Sequence, residues 1–402
     1  KVLHILYQSL PQVSGSSIRS RDTLMSLQEI GINTIAITSP FQRSLNNEKQ
    51  DIIDGVVYIR TSKNVNVDNF GERKSILKKI SRFFSIIPFG IKLYKHVKEE
   101  RPDILHAHAM FYCALPTIIV GKIFKIPVVY EFRSLWMFDK NNDNKKSLIS
   151  NFWLNVETFL LKKSDYVIFL NENLKRYFRK HSRLLGNSIV INNAINTTYI
   201  NQLKGKNKFE RQSRDLVFGY IGTITAYEGI DFMIESFQEL NREGESFKLI
   251  IYGKGDEEEK IKKLINQYKG ENNIEFRGSI PPENVVEAYA EIDVIVNPRI
   301  ENEVTNSVTP LKPLEAMAYE KLFVGSDVGG ILEIVNKDTG IVFKAGDKID
   351  FKKNIKHVAN MSIAENETII KNALNYVEKN KSWKQNAIKY KDIYLSLLNK
   401  NK

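Results

Sequence analysis

Short apolar, β-branched runs alternate along this chain with longer stretches whose apolar positions recur at helical spacing. Runs at 2–7, 34–38, 56–60, 104–108, 128–132, 166–170 and 189–191 form one series. A second series falls at 216–221, 248–252, 274–277, 294–297, 322–325 and 341–343. Strands that alternate with helices build parallel sheets, so the pattern predicts an α/β fold. Two successive series predict two Rossmann-like domains. The polar stretch 197–214, rich in Asn, Lys and Arg, reads as the linker between them. The expected organisation is an N-terminal domain over 1–196, that linker, a C-terminal domain over 215–378 and a last helix over 379–402 that packs back toward the first domain.

A chain of 402 residues with 42% apolar composition can bury substantial cores. Its formal net charge of +12 suits an anionic partner such as a nucleotide, a nucleic acid or an acidic membrane surface. The charge is spread along the chain and no nucleic-acid-binding motif is recognisable, so nucleic acid ranks last. Cys113 is the only cysteine, which excludes an intrachain disulfide and a cysteine metal cluster and fits a reducing cytoplasm. No apolar run approaches the ~20 residues of a membrane-spanning helix. Segment 73–95 is basic, amphipathic and aromatic, with Phe83, Phe84 and Phe89 among its lysines and arginines. It reads either as an interfacial helix for an anionic membrane surface or as a helix packed on the first sheet with a solvated basic face.

Ligands of open parallel sheets bind beyond the carboxyl ends of strands, which selects the loops that matter. After the first strand, the loop 10–21 contains Gly15, where backbone can approach a phosphate, and Arg19 and Arg21 as cations. The Gly253-Lys254-Gly255 turn reads as structural. His106 and His108 share one face of their strand by period-two alternation, with His108 nearer the ligand end. Glu131 and Arg133 end the next strand, either as a structural pair or as polar groups at the ligand end of the sheet. In Thr309-Pro310-Leu311-Lys312-Pro313-Leu314-Glu315, the prolines suit a helix start and place Lys312 and Glu315 on one helical face. A carboxylate for ribose hydroxyls and an ammonium for a diphosphate are what a nucleotide-sugar requires. An ordinary amphipathic helix is the alternative for that segment alone.

In order along the chain stand Gly219-Tyr220-Ile221-Gly222-Thr223, Glu228-Gly229, Tyr252-Gly253-Lys254-Gly255, Ile274-Glu275-Phe276-Arg277-Gly278, Ala290-Glu291-Ile292-Asp293-Val294, Glu315-Ala316-Met317-Ala318 and Ser326-Asp327-Val328-Gly329-Gly330. This ordered set resembles the retaining GT-B glycosyltransferases of family 4, over nearly the whole chain. The resemblance implies two Rossmann-like domains whose parallel sheets face a central cleft. It also implies a nucleotide-diphosphate sugar as donor, a glycan or lipid-linked acceptor, retention of configuration, and no metal or other cofactor. Donor-binding residues are then expected at Gly15, Gly222, Thr223, Arg299, Thr309, Lys312 and Glu315, with His108, Glu131 and Arg133 at the catalytic face.

The chain departs from the family pattern at three places. The first Glu of the family's paired-glutamate motif falls at Ser307. The Arg and Lys that hold the diphosphate fall near Thr223 and Glu228, and a bare carboxylate at 228 would repel a phosphate. Arg299 and Lys312 are the expected substitutes. The leading expectation is a cytoplasmic hexosyltransferase, free or peripheral to the inner face of the membrane, that builds a bacterial surface polysaccharide. Two others stand beside it, a non-hydrolysing nucleotide-sugar epimerase and a catalytically inactive glycan- or nucleotide-binding relative.

Overall fold

The computed structural model describes residues 1–12, 14–42, 44, 48–62, 84–108, 110–138, 148–182, 186–195, 216–268, 273–281 and 284–400. The chain divides into two compact units. The first comprises Lys1–Met137, Lys145–Asn192 and Trp383–Lys402. The second comprises Phe138–Asn144 and Asn193–Ser382. The expected linker, 197–214, lies outside the described residues.

The first unit contains β1 (Val2–Leu6), β2 (Thr34–Thr38), β3 (Gln50–Ile53), β4 (Val56–Arg60), β5 (Ile104–His108), β6 (Val128–Phe132), β7 (Tyr166–Phe169) and β8 (Ser188–Val190). They lie in the order β3-β4-β2-β1-β5-β6-β7-β8, parallel except for the β3–β4 pair. The second unit contains β9 (Val217–Ile221), β10 (Lys248–Tyr252), β11 (Ile274–Gly278), β12 (Val294–Asn297), β13 (Leu322–Ser326) and β14 (Ile341–Phe343), in the order β11-β10-β9-β12-β13-β14. Every expected run forms a strand, and the α/β expectation holds for both units.

β3 was not expected. Its sequence, Gln-Asp-Ile-Ile, lacks a clean alternation, yet Asp51 turns inward and binds Arg60 on β4 with Nε to Oδ2 at 2.6 Å. The connecting Asp54-Gly55 has both φ angles positive, the backbone of a tight two-residue hairpin. That dipeptide was the legible signal.

Connections between parallel strands are right-handed, so the direction of each step along the sheet decides which face its helix covers. The steps β4 to β5, β5 to β6 and β6 to β7 run one way. Their helices, Ile86–Glu100, Phe111–Phe124 and Leu148–Lys163, therefore share a face and pack side by side. The step β1 to β2 runs the other way and puts Gly15–Glu29 on the opposite face. There it packs on the last helix, Trp383–Lys400, with Leu27 in one core with Ala387 and Tyr390. Of the basic segment 73–95, residues 73–83 lie outside the described residues. Residues 86–95 belong to the Ile86–Glu100 helix, which buries Phe89, Leu93 and Val97.

Glu157 locks three elements of the first unit together. Its carboxylate accepts from the Phe111 amide at 2.8 Å, from Trp136 Nε1 at 2.7 Å and from the Tyr130 hydroxyl at 2.6 Å. Burial pushes this carboxyl up from 4.5 to about 7 despite those donors. An acid whose folded value is raised binds its proton more tightly when folded than when unfolded. Stability should therefore fall as pH climbs from 4.5 to about 7, by roughly 3 kcal/mol. We expect Glu157→Gln to match the wild type near pH 5 and to gain on it by about that amount near pH 8. Urea unfolding at the two pH values checks this, and parallel losses at both would refute it.

Candidate functional site

In each unit the strand order reverses at one point, where a crevice opens beyond the carboxyl ends of two neighbouring strands. In the second unit that point lies between β9 and β12. β9 runs out into Gly222 and Thr223, and β12 into Pro298 and Arg299. Gly222 sits at φ +155°, and a Cβ there would overlap Lys312 Cε. The Thr223 carbonyl accepts from the Tyr220 hydroxyl at 2.7 Å. A single 3-10 turn, Ala226–Glu228, follows and ends on Gly229 at φ +69°, where a Cβ would overlap the Pro298 carbonyl oxygen. The close approach brings Glu228 to the end of β12.

Glu228 is buried and has four donors around it. Arg299 reaches Oε1 with Nη2 at 2.9 Å and Oε2 with Nε at 3.4 Å. Asn297 Nδ2 donates to Oε2 at 2.8 Å, and Lys312 Nζ lies 3.1 Å from the same oxygen. Burial alone would raise this carboxyl, but Arg299 and Lys312 outweigh it and hold it at about 2. The expectation of a bare, repelling carboxylate is thus corrected. Two cations meet one anion, which leaves one positive charge in surplus. Arg299 is committed more deeply, since its Nη1 also donates to the Val308 carbonyl. Lys312 lies over the Tyr220 ring, its Nζ 5.0 Å from the centroid, and keeps 12% of its side chain exposed.

Lys312 begins the helix Lys312–Ala318, which carries Glu315 one turn on. Glu315 is half-buried and accepts from the Tyr289 hydroxyl at 3.0 Å. Tyr289 is itself fixed by stacking on Tyr319 at 4.3 Å. Thr309 is buried. Its hydroxyl donates to Glu333 at 2.5 Å and its carbonyl accepts from Asn193. Ser307 lies buried in the helix Glu303–Ser307, and its hydroxyl donates back to the Glu303 carbonyl. Gly253 and Gly255 pack against the backbone of residues 222–224, a structural role.

In the first unit the reversal lies between β1 and β5. Glu131, at the end of β6, accepts from Arg133 Nε at 2.7 Å, Arg19 Nε at 3.0 Å and the Tyr390 hydroxyl at 2.5 Å. Burial opposes its ionisation, but Arg19 and Arg133 prevail and hold it well below the usual carboxylate range. Arg19, expected as a loop cation, is instead buried on Glu131, and Arg21 is paired with Asp22. Gly15 opens the helix Gly15–Glu29 after a Ser14 cap that exchanges bonds with Ser17. Arg133 Nη1 donates to the Ser16 carbonyl at 3.0 Å, which draws it beneath that turn.

Arg133 Nη2 also meets His108 Nδ1 at 2.6 Å. A guanidinium only donates, so the His108 proton sits on Nε2. That nitrogen lies 2.8 Å from His4 Nδ1 and donates to it. Burial and then the Arg133 charge press the His108 imidazole down to about 3, so it is neutral. His4, His106 and His108 form a trio whose ligand atoms lie within 4.8 Å of one another. Both nitrogens of His108 are already engaged, so the trio reads as a hydrogen-bonded stack rather than a metal cage.

Two family models match the chain. Glycosyltransferase Family 4 covers residues 20–199, and Glycosyl transferases group 1 covers residues 201–387. The chain belongs to the GT-B glycosyltransferases. An uncharacterized glycosyltransferase of Methanocaldococcus jannaschii is 29% identical over 206 residues, 48% of this chain and 50% of that protein. The match thus spans about half of that relative's length. Sucrose-phosphate synthase from Thermosynechococcus elongatus shares the GT-B fold with a TM-score of 0.78, at 16% identity over 99% of both chains. The Anabaena protein HepE in complex with UDP-glucose gives 0.69 at 14% identity, over 97% of this chain and 99% of its own.

As a GT-B chain, this one exchanges charges at its reversal point. Glu228 stands near the place where the resemblance leads one to expect the family's lysine, and Lys312 reaches it from the helix Lys312–Ala318. Sequence reasoning missed Glu228 as the organiser, together with Tyr220, Asn297 and Tyr289, which lie far from their partners along the chain. Glu228→Gln should strand two desolvated cations and cost about 3–5 kcal/mol. Adding Arg299→Met should return part of that loss. Chemical denaturation of the single and double variants measures both, and additive losses would show that the pairing does not hold this site.

Proposed function

We propose that this chain transfers a sugar from a nucleotide-diphosphate sugar to a glycan or lipid-linked acceptor, with retention of configuration and without a metal ion. The observation that carries the proposal is the Arg299–Glu228–Lys312 cluster with Glu315 one helical turn beyond Lys312. The surplus positive charge of the cluster suits a diphosphate, and the part-exposed Lys312 ammonium is the group that would meet it. A half-buried carboxylate oriented by Tyr289 suits a pair of ribose hydroxyls, whose bonds to it would be charge-assisted. HepE, a fold relative, is a protein seen with UDP-glucose. The lone buried Cys113 suggests the cytoplasm as the place of action. A role in bacterial surface polysaccharide synthesis rests on the family resemblance alone.

The proposed step needs no protein base. The acceptor oxygen bonds to the anomeric carbon as the bond to the diphosphate breaks. The electron pair leaves on the diphosphate oxygen, and that oxygen takes the acceptor proton. Lys312 and Arg299 stabilise the charge that develops there, already oriented by Glu228, so little reorganisation is needed at the moment of reaction. On the first unit, the exposed Gly15 turn is the element offered for a sugar or acceptor hydroxyl, and Arg133, held by His108, supports it from beneath. Glu131 acts through Arg133 and is a positioning residue in this reading.

A panel of nucleotide-sugars, screened by thermal shift and then by release of free nucleotide on adding acceptor, tests the proposal. Donor-dependent release would separate transfer from epimerisation and from mere binding. Glu315→Gln should weaken donor binding by about 1.5–3 kcal/mol, roughly ten- to a hundredfold. A folded variant with unchanged donor Kd would remove the ribose assignment. Lys312→Ala should depress kcat more than it weakens the free nucleoside, and normal turnover in that variant would place the diphosphate elsewhere.

A further inference from the structure

Glu228 is an anion at the centre of a cluster assigned above to an anionic ligand. Its pairing with Arg299 and Lys312 lets the fold tolerate it, but neutral groups could anchor the same cations. Arg299 Nη1 already donates to the Val308 carbonyl at 3.1 Å, and Lys312 Nζ already lies 5.0 Å from the centroid of the Tyr220 ring. What Glu228 adds is charge. Its side chain is 2% exposed, and a buried charge is screened far less than a surface one. The cluster is drawn tight around it, with Arg299 at 2.9 Å and Lys312 at 3.1 Å. Its field therefore reaches whatever anion those two cations hold.

The two nucleotides that visit such a site differ in charge. In the donor, each phosphate of the diphosphate is singly charged. Transfer of the sugar exposes a terminal phosphate, which first takes the acceptor proton and then loses most of it to water, so that it carries about −1.5 to −2 at pH 7. Attraction scales with the product of the charges, so every surplus cation favours the spent nucleotide over the donor. With Glu228 in place the cluster has one surplus positive charge, and without it there would be two. We propose that Glu228 sets the balance between donor and product. It weakens the hold on the nucleoside diphosphate more than the hold on the nucleotide-sugar, so that the spent nucleotide leaves. This role rests on the assignment of the cluster to a diphosphate. Glu228 performs it through Arg299 and Lys312 and is a positioning residue. A purely structural Glu228 has the opposite signature, because loosening the two cations would weaken every diphosphate ligand.

Calorimetric titration of the full chain with UDP, GDP and ADP, and with UDP-glucose, GDP-mannose and ADP-glucose, tests it on wild type and Glu228→Gln. The variant should bind its nucleoside diphosphate about tenfold more tightly or better, and the matching donor by a smaller factor. Product inhibition should deepen in step. Glu228→Asp keeps the charge and should show no such gain. Thr223→Arg supplies a second route, because Thr223 is exposed at the end of β9 and an arginine there restores a surplus cation while Glu228 stays in place. It should shift the balance toward product as Glu228→Gln does, and it decides the matter if Glu228→Gln does not fold. Thermal melts report which variants are folded. The role is overturned if the folded variant binds product no more tightly than wild type does, if donor and product gain equally, or if Glu228→Asp shares the gain. Nucleotides that bind neither wild type nor variant would remove the diphosphate assignment itself, and this role with it.

Discussion

A carboxylate withdrawn from water costs several kcal/mol unless cations and donors replace the lost hydration. Glu228 is such a group, and much of the second unit's reversal point follows from satisfying it. Arg299 must lie alongside it, which fixes the exit of β12. Lys312 must reach it across the end of β9, which is possible only because residue 222 has no side chain. Once Lys312 is placed, the short helix it begins is placed, and with it Glu315. Gly229 then has to accept a backbone contact with Pro298 that a larger residue would block. The two glycines and the two cations are thus consequences of one buried charge.

The first unit uses the same device with a different outcome. Glu131 also lies between two cations, Arg19 and Arg133, at the end of a central strand. Here both guanidinium groups are buried, and the final helix contributes Tyr390 to the same carboxylate. Nothing in that arrangement leaves a cation partly open, as Lys312 is. Its effect is to tie β6 to the first and last helices of the unit and to present one face of Arg133 to His108 and to the turn at Gly15. The pairing around Glu131 holds the fold, whereas the pairing around Glu228 also leaves the Lys312 ammonium part-exposed.

The strands were legible because each is an apolar run between polar turns, and local composition is enough to mark it. β3 escaped because its inward residue is an aspartate, made tolerable by Arg60 across the hairpin and by the Ser44 hydroxyl. The shared face of His106 and His108 could be read from alternation, but His4 joins them through the parallel register of β1 on β5, which no local pattern reveals. Lys312 and Glu315 were legible from helical spacing and proline placement. Glu228 was not, because a sequence shows a charge without showing its partner, and Arg299 lies 71 residues away. Thr309 illustrates the converse. A polar residue at a helix entrance looks available, and the fold spends it on Glu333 and Asn193.

Net charge is subject to the same limit. A total of +12 counts lysines and arginines alike wherever they stand. In the second unit Lys348, Lys352 and Lys356 are neutralised by Glu239 and Glu243 on a neighbouring helix. Such exposed pairs add little stability individually. They do remove long-range attraction from that surface, because a paired charge presents a dipole to a distant anion rather than a monopole. Lys122, Lys125 and Lys162 on the first unit, like Lys263, Lys353 and Lys371 on the second, have no such carboxylate beside them among the described residues. The net charge therefore does not tell which lysines keep their attraction, because that depends on which carboxylates the fold brings beside each of them.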